Sequence, residues 1–79
     1  MAVSLSKPTD AEERLIADYV QRRGLGDVIA RQQLQDGRRW AAKLSADQRA
    51  NAYASPVVRR FSPMTTFVLE EAMRERGEL

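Results

Sequence analysis

Seventy-nine residues, 43% apolar and 30% charged with a net charge of +2, make one small domain. A chain of that size buries about 60 to 65% of its unfolded surface and has a thin stability margin. The absence of cysteine and histidine excludes disulfides, thiolate or imidazole metal sites, and catalysis by either residue.

No apolar run exceeds three residues, so neither a transmembrane helix nor a signal-peptide core can be placed, and a cytoplasmic protein is expected. Eleven arginines against two lysines, with eleven alanines, match the codon bias of GC-rich bacterial or phage genes. The charge is unevenly spread. Residues 1–18 and 62–79 each carry two bases and four acids. Residues 19–61 carry nine bases against Asp27, Asp36 and Asp47, which is the strongest partner signal in the chain.

Residues 1–8 are polar and aperiodic and read as a flexible leader to a single helical domain over residues 9–79. In "TDAEERL", Thr9 or Asp10 can cap a first helix, with Glu12 or Glu13 completing a capping box. Ala11, Leu15, Ile16, Tyr19 and Val20 share a face of that helix. Arg22 and Arg23 suit its negative end, and Gly24 supplies the left-handed residue that stops it near residue 23.

Asp27 reads as the cap of a second helix. Ala30, Leu34, Gly37, Ala41 and Leu44 recur at alternating spacings of four and three, an unbroken stripe through the Asp36–Gly37 pair. A helix restarted at Asp36 would also put Arg38 and Arg39 in its first turn, against the dipole. The spacing therefore predicts one long helix despite the turn-forming Asp-Gly pair and the cost of about 1 kcal/mol for a helical glycine. On it Trp40 lies at the edge of the stripe near Ile29 and reads as a partly buried cap on the core, while Arg39, Lys43 and Gln32 face away from the stripe.

Ser45 and Gln48 form another capping box, opening a third helix to about Ala54 with Ala46, Ala50 and Tyr53 turned inward. "SPVVRRFSP" places proline after serine twice, each pair a cap followed by the first helical position. A helical turn or ordered connector is expected there, then a last helix from Pro63 to about Arg76, ended by Gly77. On that helix Met64, Phe67 and Val68 cover one side and Leu69 and Met73 another. Either the bundle wraps it from two sides, or Phe67, Leu69 and Met73 take part in homodimerisation or docking.

Carboxylates, hydroxyls, Tyr19, Tyr53, Lys7 and Lys43 are the remaining groups able to do acid, base or nucleophilic chemistry, and none stands at a recognised spacing. The "GLGD" at residues 24–27 lacks the rest of a nucleotide-binding fingerprint. The chain reads as non-enzymatic, with no cofactor and no metal.

"YVQRRGLGDVIARQQL" fits a helix-turn-helix only in part, because Arg23 and Gln33 stand where that unit packs inward. The expected fold is all-α, a small bundle of about four helices with one long central helix. The expected function is a regulatory protein that binds a protein partner, as inhibitor, antitoxin or adaptor, with binding to duplex DNA as the alternative. Arg38, Arg39, Trp40, Lys43, Arg59 and Arg60 are the candidate contact residues, with Phe61 a further candidate anchor.

Overall fold

The computed structural model describes residues 10–24 and 26–79, the Phe61 side chain excepted. The expected leader over residues 1–8, a cap at Thr9, Leu25 of the turn and an anchoring role for the Phe61 side chain lie outside what is described. Five helices follow one another: α1 (Asp10–Arg23), α2 (Asp27–Lys43), α3 (Ala46–Ala54), α4 (Pro56–Phe61) and α5 (Pro63–Glu75). The described residues contain no strand, and the fold is an all-α bundle.

Local chemistry accounts for most helix ends. Gly24, at φ +68°, donates its N–H to the Val20 carbonyl and closes α1 in the left-handed conformation that a side chain disfavours. Gly26 rather than Asp27 caps α2. Asp27 is the first helical residue, and its carboxylate accepts from Arg31 Nε at 2.7 Å instead of from the backbone. The Ser45–Gln48 capping box is complete in both directions. The Ser55-Pro56 and Ser62-Pro63 pairs each start a helix, so the segment between them is the short helix α4.

At the other end of α5, Gly77 stands at φ +71°. The Glu78 N–H returns to the Met73 carbonyl at 2.7 Å and the Gly77 N–H to that of Arg74 at 3.2 Å, the paired bonds of a Schellman turn.

α2 is the longest helix and runs unbroken through Asp36 and Gly37. α5 is the helix that touches all four others. Ile16, Ala30, Leu34, Ala41, Met64, Val68, Leu69 and Ala72 form one core, to which each fully buried branched side chain contributes about 1.5 to 3 kcal/mol. Gly37 faces Val68, and a β-carbon at residue 37 would lie 3.4 Å from Val68 Cγ1.

Two expectations are corrected by this packing. Leu69 and Met73 are buried within the chain, because α5 is covered on both sides by its neighbours, so they offer no surface for self-association. On α3, Ala46 and Ala50 face solvent, and the inward positions go to Arg49, Ala52 and Tyr53.

Candidate interaction surface

The nine bases of the central segment do not form one surface. The acid-rich flanks fold across that segment and neutralise its most inward members. Arg31 reaches back to Glu13 of α1 through two hydrogen bonds of 2.9 and 3.1 Å. Arg38 makes a fork with Glu71 of α5, at 2.7 and 3.0 Å, and donates to Glu12 of α1 at 2.7 Å. These glutamates of α1, which read as capping partners, thus serve α2.

Arg49 is the one buried charged residue among those described. It pairs with Glu78 at 2.8 and 2.9 Å and donates to the carbonyls of Ala41 and Leu44, which satisfies the open C-terminal end of α2. Gly77 makes this contact geometrically available, since its left-handed turn brings Glu78 back over α3.

Protonation follows the same geometry. The Arg31 bond holds the Glu13 carboxyl below its ordinary value of 4.5, and the Arg49 bond does the same for Glu78. Hydrogen bonding to Glu71 raises the Arg38 guanidinium, and bonding to Glu13 raises that of Arg31, so both stay charged at any pH the fold survives.

Of the six candidate contact residues, three remain together at the surface. Arg39, Trp40 and Lys43 occupy the outward side of α2, where Trp40 is 42% exposed. Helical geometry puts Lys43 one turn beyond Trp40, and Ile29 in line with it about 16 Å back along the axis. Ile29 is 50% exposed and its neighbour Val28 80%. Arg39 is paired with Asp36, one turn back on the same helix.

The remaining candidates separate. Arg38 is committed to Glu12 and Glu71 inside the bundle. Arg59 lies 4.3 Å over the ring of Tyr53 and donates to that residue's carbonyl at the α3–α4 corner. Arg60 lines a cleft with Asp18, Tyr19, Arg22, Arg23 and Pro63. Phe67 is half-buried on the core and opens onto a cleft of about 370 Å³ with Ala11, Glu70, Glu71, Arg74 and Glu75.

The sequence reading counted Arg22 and Arg23 among the central bases and as dipole partners, and placed Ile29 near Trp40, but it did not single out Val28. An Ile-Val pair at the start of an otherwise polar helix face was the available signal. Arg23 and Gln33, the two positions that depart from the helix-turn-helix pattern, are both exposed, and Gln33 accepts a 2.6 Å bond from the Tyr19 hydroxyl. Among the described residues no group of three or more acidic side chains could hold a metal ion, and no helix is long and apolar enough to cross a membrane.

Compared with protein families, with characterised proteins and with solved structures, the chain matches none.

Proposed function

We propose that this is a small non-enzymatic regulatory protein of the cytoplasm that acts by binding a protein partner through the outward face of α2. The observation that carries the reading is the exposed Trp40 on the outward side of α2 next to Lys43 and Arg39, with the exposed Ile29 in line with it near the start of the same helix. Tryptophan and arginine are the residues most often found at energetic centres of protein interfaces, whereas lone exposed aliphatics are ordinary. At 42% exposure part of the Trp40 surface is already out of water before a partner docks.

Duplex DNA remains the second reading, and the ion pairing described above weighs against it. Arg31, Arg38 and Arg49 are engaged with glutamates, which takes three of the central cations out of any extended phosphate footprint.

The test is affinity capture with tagged wild type and with Trp40→Ala, followed by titration of the purified partner. Loss of an interface tryptophan worth about 2 kcal/mol or more predicts at least about thirty-fold weaker binding. The melting temperature should stay near wild type. Partner binding unchanged by Trp40→Ala and Lys43→Glu together refutes the assignment of this face. In parallel, micromolar, salt-sensitive binding of labelled duplex DNA would replace the protein reading with the DNA one.

A further inference from the structure

The segment that follows α5 is tied to the rest of the fold at the turn of α2 that carries Trp40 and Lys43. Trp40, Ala41, Ala42 and Lys43 are the last four residues of α2, and the carbonyls of a helix's last turn find no partner further along the same helix. The Leu44 N–H closes the turn on the Ala41 carbonyl at 3.3 Å. Of the four residues only Ala41 is buried, so side-chain packing holds this turn at a single point.

Arg49 supplies further donors. Its Nη1 reaches the carbonyls of Ala41 at 3.1 Å and Leu44 at 2.5 Å, while its Nε and Nη2 are taken by the two carboxylate oxygens of Glu78. The Arg49 side chain is 7% exposed and that of Glu78 20%. Without the carboxylate a guanidinium would be left buried and unpaired, a state that costs more than the pair contributes. Rotation of Arg49 toward water relieves that cost, and it withdraws two donors from the end of α2.

We infer that the Gly77–Glu78 turn is a clasp that keeps the last turn of α2 helical, and that Glu78 is thereby a positioning residue for Trp40 and Lys43. Glu78 acts through Arg49. The positioning role rests on the reading of the α2 face as the contact surface, whereas the clasp does not. A general loss of stability is the competing explanation for any effect of Glu78, and Tyr53 provides the control. Its hydroxyl bond to Glu70, at 2.8 Å, joins α3 to α5 as the clasp does, and it makes no contact with the end of α2.

The experiment compares the full chain with Glu78→Gln and Tyr53→Phe at neutral pH, without any partner. Amide hydrogen exchange is measured residue by residue, and the time-resolved fluorescence anisotropy of Trp40, the only tryptophan, reports the motion of its ring. In Glu78→Gln the amides of Ala42, Lys43 and Leu44 should exchange at least ten-fold faster relative to those of Leu34 and Val68, and the Trp40 anisotropy should decay further. Tyr53→Phe should leave both ratios at the wild-type value.

Unchanged exchange at the end of α2 in Glu78→Gln overturns the clasp. So does a rise shared equally by Leu34 and Val68, or the same local loosening in Tyr53→Phe. In the affinity capture that tests the α2 face, Glu78→Gln should retain several-fold less partner than Tyr53→Phe. Equal retention by the two, where Trp40→Ala abolishes capture, overturns the positioning role. Capture that survives Trp40→Ala refutes the contact surface instead, and the exchange ratios still decide the clasp.

Discussion

The same substitution, glycine to alanine, should have opposite signs at two positions of this fold. At Gly37, in the middle of α2, alanine removes the intrinsic penalty of a helical glycine, about 1 kcal/mol. The new methyl would meet Val68 Cγ1 at 3.4 Å and Cγ2 at 3.5 Å, which is close contact without overlap. Little of the propensity gain is therefore spent on repacking α2 against α5, and Gly37→Ala should stabilise by up to about 1 kcal/mol.

At Gly77 the backbone stands at φ +71°, where a β-carbon costs roughly 1 to 2 kcal/mol although nothing lies within 4 Å of it. Gly77→Ala should destabilise by about 1 kcal/mol or more and loosen the turn that brings Glu78 to Arg49. For a domain of this size each kcal/mol moves the midpoint by about 4 to 8 °C, so calorimetry or circular dichroism at neutral pH resolves both changes. A fall in stability of 1 kcal/mol or more for Gly37→Ala would refute the reasoning, since α2 and α5 would then need bare backbone at their contact. Gly37→Leu should reverse the sign by about 1 to 3 kcal/mol of overpacking.

Leu69→Ala, at a side chain with no exposure, should cost about 2 to 5 kcal/mol by urea titration, and by the same amount at low and high protein concentration. A cost that depends on concentration would restore a self-associating role to that residue. In acid, the carboxyls of Glu13 and Glu78 are held below their ordinary value of 4.5 in the fold and regain it on unfolding. Their stabilisation is present above about pH 4.5 and disappears as the pH falls through their lowered values, so the melting temperature should be level from neutral pH down to about 5 and drop below that. Glu78→Gln should start lower at neutral pH and lose less on acidification; an identical acid slope in wild type and variant would show that this pair is not what titrates.

How much of this was legible in the sequence follows from the distance over which each feature is decided. The helix limits were readable because their causes sit within four residues of the ends. Ser45 and Gln48 reach each other's backbone, serine-proline pairs start α4 and α5, and Gly24 and Gly77 take the left-handed turns that stop α1 and α5. The passage of α2 through Gly37 was readable from a stripe of apolar residues whose period belongs to a helix.

The fate of the charges was not readable in this way. Glu12 and Glu13 stand at capping positions in sequence, and only the packing of α1 on α2 hands them to Arg38 and Arg31. Arg49 lies among alanines that look better suited to a core, yet it is the residue drawn inward, because the carbonyls ending α2 and the returning Glu78 supply the partners that a buried guanidinium requires. Leu69 and Met73 read as surplus apolar surface on an isolated helix and become interior once α3 and α4 close over α5. Local hydrogen bonds decide where helices begin and end, whereas burial and charge pairing depend on partners 26 to 33 residues away, which only the folded chain brings within reach.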